Sequence, residues 1–245
     1  MNEAHRQRDH RIRFDWGPTG AEAIAEGADL AVVVDVLSFT TTLCVAAERG
    51  ITVLPYRWKD ERAASYAAER DATLARERLD GLSPAAMARV EVDRIVLPSP
   101  NGSSISFGLA ERGAQVVGAC LRNRSAVARW LHAAVSAGAS VAVVAAGERW
   151  PDGSLRPAAE DLWGAGAVLA ALADLGGDGL SPEARVAEQA FRSIEDDVAG
   201  AVRGCASGVE LIDAAFGKDV DMAAELDVAE VVPLLADGEF HPATN

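Results

Sequence analysis

Asp35 closes the apolar run Ala31-Val-Val-Val-Asp35, and a short turn separates it from Thr40, Thr41 and Thr42. A carboxylate at the end of a buried strand needs a cation or hydrogen-bond donors as a partner. Hydroxyls at a helix start sit among free amides and a partial positive charge, which suit an anion. A metal-seeking carboxylate beside an anion-seeking helix start is the pairing that phosphate-ester chemistry needs. The same residues also read as a Thr-capped helix with Asp35 held by backbone donors.

Further stretches repeat the pattern. Ser99-Pro-Asn101-Gly102-Ser103-Ser104 follows a strand and opens a helix. Asn-Gly permits positive φ, and the amides after it can line an anion-binding concavity. Glu148 and Arg149 follow another strand, and Arg149 adds a planar cation with a bidentate fork. Glu160 and Asp161 open a helix rich in Gly and Ala, where the helix dipole alone favours acids. Asp35, Glu148, Glu160 and Asp161 are all expected at one sheet edge, and several oxygen ligands with waters suit Mg2+. Arg122 and Arg124 are candidate anion clamps. Cys120 is either a nucleophile or a small buried apolar residue. There is no Gly-x4-Gly-Lys-Ser/Thr loop, and Asp35-Val-Leu37 lacks the second Asp of the Asp-x-Asp phosphatase motif. His5, His10, His132 and His241 lie outside all these stretches, which disfavours a histidine nucleophile.

Hydrophobic periodicity supplies the elements that must position these groups. Strands are expected at Ile12–Trp16 (an edge strand), 31–36, 51–56, Arg94–Pro98, 115–120, Val141–Ala145 and 228–235. Helices are expected at 19–26, 40–49, 59–78, after Ser99–Ser104 to near Gly113, at 125–137 and at 160–175, with three more after Pro182. Residues 79–92 are broken by turns, and 152–157 is loop. The alternation predicts an α/β fold, with a mostly parallel sheet flanked by helices. Ala47-Glu-Arg-Gly50 recurs as Ala110-Glu-Arg-Gly113. The echo suggests two related α/β halves, although Glu-Arg-Gly is also a common helix ending. We expect one domain over 1–245, with a candidate subdivision near 180 and a frayed tail over 1–10.

The 245 residues, 49% hydrophobic, are ample for a packed core. A net charge of −14 argues against nucleic acid or an anionic membrane as partner. A few arginines and a bound metal can still reverse the sign locally for a small anionic substrate. Cys44, Cys120 and Cys205 form no disulfide framework, which points to a reducing cytoplasm. No apolar run approaches the ~20 residues of a membrane span. A homo-oligomer is compatible with the sequence.

Six of these stretches, in order, resemble the 2-phosphosulfolactate phosphatase family. They are Asp35-Val-Leu-x-x-Thr-Thr-Thr42, Ser99-Pro-Asn-Gly-Ser103, Arg122-Asn-x-Ser-Ala-Val127, Ala146-Gly-Glu-Arg-Trp150, Glu160-Asp-Leu162 with Gly164-Ala-Gly166, and Ser207-Gly208 through Lys218-Asp219 to Val232-Pro233. The resemblance implies an unusual α/β fold and a Mg2+-dependent phosphatase. Such an enzyme releases phosphate from 2-phosphosulfolactate, leaving 3-sulfolactate, on the route to coenzyme M. Taking the residue readings and the resemblance together, Asp35, Glu148, Arg149 and Cys120 are candidate catalytic residues. Ser38, Thr40, Thr41, Asn101, Gly102, Ser103, Ser104, Arg122 and Asn123 are candidates for the substrate. Asp35, Glu148, Glu160 and Asp161 are candidates for the metal. One departure bears on the substrate: the family commonly has Arg-Ala where this chain has Ser38-Phe39. A non-catalytic binder of anionic metabolites, or a phosphatase for another 2-phospho-hydroxy acid, are the alternatives.

Overall fold

The computed structural model describes residues 2–58 and 60–243. In chain order the elements are β1 (Ile12–Trp16), α1 (Gly17–Ile24), β2 (Leu30–Val34), α2 (Phe39–Glu48), β3 (Thr52–Tyr56), α3 (Arg62–Ala68), β4 (Thr73–Leu74), α4 (Pro84–Met87), β5 (Arg94–Pro98), α5 (Gly102–Ala110) and β6 (Gln115–Ala119). They continue with α6 (Arg124–Ser136), β7 (Val141–Ala145), β8 (Glu148–Arg149), β9 (Leu155–Arg156), α7 (Ala159–Asp174), α8 (Pro182–Arg192), α9 (Val198–Gly204), α10 (Ala206–Asp213), α11 (Gly217–Ala223), β10 (Pro233–Ala236) and β11 (Glu239–Pro242).

Nine strands form one sheet in the order β1-β7-β2-β6-β10-β11-β3-β5-β4. It contains two parallel groups, β1-β7-β2-β6 and β3-β5-β4. The antiparallel hairpin β10–β11 joins them, with Leu234 opposite Val117 and Phe240 opposite Val53. The mostly parallel α/β fold expected from the alternation is what the structure shows. The echoed segments are two strand–helix–strand units that link the groups in opposite directions. The first runs β2–α2–β3 and the second β5–α5–β6.

All five residues of β2 are buried, so its sequence is continuously apolar. Successive side chains still point to opposite faces. Val32 and Val34 join the core beneath α6, α7 and α8, while Ala31 and Val33 join a second core with α1 and α5. The glycines of α7 allow close approach. A Cβ on Gly164 would lie 2.5 Å from Val36 Cγ2, and one on Gly166 would lie 2.0 Å from the Ala187 carbonyl oxygen.

Five expectations need correction. The helix expected over 59–78 is only Arg62–Ala68; Lys59 itself lies outside the described residues. The chain turns at Asp71, whose φ is +50°, and Thr73–Leu74 then pairs with β5. Four helices, rather than three, follow Pro182, because extended backbone at Cys205 separates α9 from α10. The single strand expected over 228–235 begins only at Pro233, as the first arm of a hairpin with Glu239–Pro242. Asp237 and Gly238 both have positive φ and form its turn. Residues 155–156 are not loop but pair with 148–149. Near the N-terminus, the buried Gln7 side chain bonds both the Phe14 carbonyl (2.8 Å) and the Phe14 amide (3.1 Å). That anchors the segment expected to fray.

Candidate active site

Three connections meet at one cleft of about 190 Å3: the loop after β2, the loop after β5 and the start of β8. Asp35, Ser38, Ser99, Asn101 and Glu148 line it, together with Arg78. The β2 loop is shaped by its hydroxyls. The Asp35 amide donates to Thr40 Oγ1 (2.9 Å), and the Thr40 amide donates to the Asp35 carbonyl (2.9 Å). Thr41 Oγ1 donates to the Val36 carbonyl (2.8 Å), and Thr42 Oγ1 to the Ser38 carbonyl (2.7 Å). Thr40 and Thr41 are fully buried. Their hydroxyls therefore build the turn that presents Asp35, rather than facing the cleft.

The Asp35 carboxylate meets two helix starts. Its Oδ1 accepts from the Phe39 amide of α2 (3.1 Å), and the Gly102 amide at the start of α5 favours its charge. Gly102 must lack a side chain, because a Cβ would lie 2.2 Å from the Phe39 ring. Burial outweighs these donors, and with the Glu160 charge it pushes the Asp35 pKa up to about 6.

Asp161 ties the β2 loop to the β7 loop. Its Oδ1 accepts from the Val36 amide (2.7 Å) and its Oδ2 from the Gly147 amide (2.8 Å). Burial and the neighbouring Asp35 and Glu160 charges push its pKa well up, while the amides pull it down. The geometry favours the ionised form, because both oxygens accept. Asp161 thus acts as a brace between the loops that carry Asp35 and Glu148. Next to it, Glu160 is buried and accepts a hydrogen bond from Cys205 Sγ (3.2 Å).

Glu148 is half-buried at the cleft. Burial, then the charges of Asp35 and Glu160, push its pKa up to about 7. Asn101 Nδ2 lies 3.4 Å from Glu148 Oε2, and Arg149 Nε donates to Asn101 Oδ1 (3.2 Å). Arg149 is exposed and also bonds the Gly153 carbonyl. It orders the rim from outside.

A stability consequence follows for the protein without a metal. Unfolded carboxylates titrate near 4. Asp35 and Glu148 hold their protons to about 6 and about 7 when folded. Between those limits the folded state binds more protons, so their contribution to stability falls as pH rises from about 4 to 7. In EDTA, thermal melts across that window should show Glu148→Gln losing stability less steeply with rising pH than wild type. Parallel profiles would contradict the assignment.

Several expected residues lie elsewhere. Cys120 is fully buried, with Sγ 3.5 Å from Asn123 Oδ1, so it is not placed as a nucleophile. Asn123 is also fully buried; it accepts from the Cys120 amide (2.9 Å) and donates to the Val231 carbonyl (3.0 Å). The Arg122 guanidinium is taken by Glu48 (2.9 Å) and Glu225, not left for a substrate. Arg124 pairs with Asp227 and Glu195. Ser103 is fully buried, and Ser104 borders a separate hollow beside Pro18 and Glu22. The loop after β6 therefore stabilises the fold instead of entering the cleft.

Two arginines were not singled out from the sequence. Arg78 lines the cleft, with Nη1 3.5 Å from Ser38 Oγ. Arg156, on β9, favours the Glu148 charge and donates to Ser207 Oγ (3.2 Å). Both follow segments read as plain helix or loop, and their only sequence signal is a cation near a turn.

A family model described as 2-phosphosulpholactate phosphatase matches residues 19–238. A Deinococcus radiodurans protein named "Probable 2-phosphosulfolactate phosphatase" is 33% identical over 95% of this chain and 96% of its own length. A Thermotoga petrophila protein of the same name is 30% identical over 86% of this chain and 90% of its own.

Proposed function

The chain belongs to the 2-phosphosulfolactate phosphatase family, and on that premise we propose that its cleft is a Mg2+-dependent site. It hydrolyses the phosphate monoester of a 2-hydroxy acid, 2-phosphosulfolactate first among them, to the hydroxy acid and phosphate. The observation that carries the reading is that Asp35 and Glu148 line one cleft together with Arg78. Burial raises the proton affinity of both carboxylates, Glu160 adds to it in each, and Asp35 adds to it in Glu148; a divalent cation is the partner that relieves both.

The donor set fits Mg2+. Among the described residues no group of three His, Cys, Asp or Glu side chains could hold a metal. Mg2+ is commonly held by one or two carboxylates, with waters and substrate phosphate completing its shell. Asp35 and Glu148 would hold it, with Glu160 behind them. When bound, the ion supplies Lewis-acid polarisation of the phosphoryl group. The chain's own residues do the rest. Asp161 fixes the separation of the two ligand loops, and the Phe39 amide at the start of α2 holds Asp35 in place. Arg78 and Asn101 offer donors to the substrate's anionic groups, and Arg156 moderates the negative charge around Glu148.

Phosphate release from a panel of 2-phospho-hydroxy acids, with Mg2+ and with EDTA, tests the reading. Metal-dependent release from phosphosulfolactate is the expected result. Release only from other members would keep the phosphatase and assign Ser38-Phe39 to altered specificity. No release from any member, with thermal stabilisation by the same compounds, would replace it with an anion-binding protein.

A further inference from the structure

Arg78 reaches the cleft from a turn between β4 and α4, and its side chain sits in a socket built by a distant part of the chain. Asp219 Oδ2, on α11, lies 3.5 Å from Arg78 Nη1. The Phe216 ring, just before α11, lies under the guanidinium with its centroid 5.3 Å from Cζ. Ser38 Oγ completes the holder at 3.5 Å from the same Nη1. Asp219 is 2% exposed, and its Oδ1 accepts from the Ala85 amide (3.0 Å), which pins α11 to α4, just after the Arg78 turn. The turn itself is closed by Ser83 Oγ donating to the Arg78 carbonyl (2.9 Å).

The socket leaves the cation free to work. An arginine has five N–H donors in a fixed fork. Among the described residues, Arg78 engages protein acceptors only through Nη1, at long range, while Nε and Nη2 have no protein partner. Arg122 is the contrast: carboxylates close on both of its terminal nitrogens. A guanidinium held by its face and one nitrogen, with donors to spare at a cleft, is organised to receive an oxyanion.

We infer that Asp219 is a positioning residue, holding Arg78 so that its free donors meet an anionic group of the substrate remote from the reacting phosphate. The inference rests on the proposed phosphatase reading and names the part of the site that selects a second anion. A carboxylate or sulfonate on the hydroxy acid carries that charge. Asp219 touches neither substrate nor metal, so its effect passes through Arg78.

The decisive variant is Asp219→Asn. Its Oδ1 can still accept from the Ala85 amide, so the pinning of α11 survives while the charge beside Arg78 goes. We expect KM for 2-phosphosulfolactate to rise at least roughly tenfold, the scale of one charge-assisted hydrogen bond, with a smaller change in kcat. Arg78→Gln should raise KM at least as much, and the double variant should be no worse than Arg78→Gln alone, because the two act as a unit. Asp221→Asn, in an exposed ion pair with Arg203, should keep the wild-type KM. Independent multiplication of the two KM effects, or an unchanged KM in Asp219→Asn, would overturn the inference.

Calorimetric binding of 3-sulfolactate separates this failure from failure of the phosphatase reading. Wild-type binding that weakens in Asp219→Asn and Arg78→Gln supports the positioning role even if no substrate turns over. Equal affinity in all three proteins, or no binding by wild type, refutes it.

Discussion

Asp35→Asn is expected to abolish phosphate release while the protein melts at or above the wild-type temperature. The two effects have one cause. Asp35 is almost fully buried, and its ionised form is disfavoured by burial and by Glu160. Asn is isosteric, and its Oδ1 can still accept from the Phe39 amide. It removes the charge and so removes the cost of burying it. The same charge is one of two that would hold the metal at the cleft. Its loss should reduce kcat by at least about 10^3-fold, on the scale of losing the principal electrostatic stabilisation of a transition state. Steady-state phosphate release and a thermal melt on one preparation check both halves. Near-normal activity would remove Asp35 from the chemistry, and a large fall in melting temperature would make it a structural residue. A stable, inactive protein is the result that places its charge in function.

Much of this architecture was legible because it rests on local signals. The parallel strands are short apolar runs such as Leu30–Val34 and Val141–Ala145, buried on both faces, and such runs announce themselves. Asp35, Asn101 and Glu148 were legible because each follows such a run, where the chain turns from strand into helix or hairpin. The failures have a common physical origin. Thr40 and Thr41 have the right chemistry for an anion, but a hydroxyl can satisfy a nearby backbone carbonyl just as well. Spacing alone does not choose between these uses. Arg122 also follows a strand, yet Glu48 and Glu225 reach it from distant segments. Arg78 was hidden for the converse reason. An alanine-rich charged run resembles an exposed helix, and only the pairing of Thr73–Leu74 with β5 ends that helix early and turns Arg78 inward.

The C-terminal hairpin shows the same limit at the scale of the fold. Asp237-Gly238 is a strong hairpin turn, but Glu239–Pro242 has a single large apolar residue, Phe240. Little in that segment marks a strand buried within a sheet. Its place comes from the gap between two parallel groups, each of which would otherwise expose an edge. Filling the gap joins β6 to β3 and lets the units β2–α2–β3 and β5–α5–β6 bring the starts of α2 and α5 together at Asp35. The site therefore depends on a long-range closure that no local pattern contains.

Asp161 offers the sharpest test of how that closure becomes function. Two buried amides, Val36 and Gly147, face it from different loops. A carboxylate can accept from both. Asn can accept from only one, and its NH2 would confront the other amide as donor against donor. Asp161→Asn should therefore lose roughly 2–3 kcal/mol, the cost of leaving one buried donor unpaired with a repulsive neighbour. Relief of repulsion from Asp35 and Glu160 opposes this. The two amide bonds of 2.7 and 2.8 Å favour the net loss, because they reward the very charge that the neighbours disfavour. Activity should fall by about 10^2-fold, because a shift on the order of 1 Å between the loops carrying Asp35 and Glu148 is enough to cost that much. Denaturant melts with kinetics over a Mg2+ titration distinguish the roles. If Asp161 is a brace, activity stays depressed at saturating Mg2+. Full recovery at high Mg2+ would instead make Asp161 a direct ligand whose loss only weakened metal affinity.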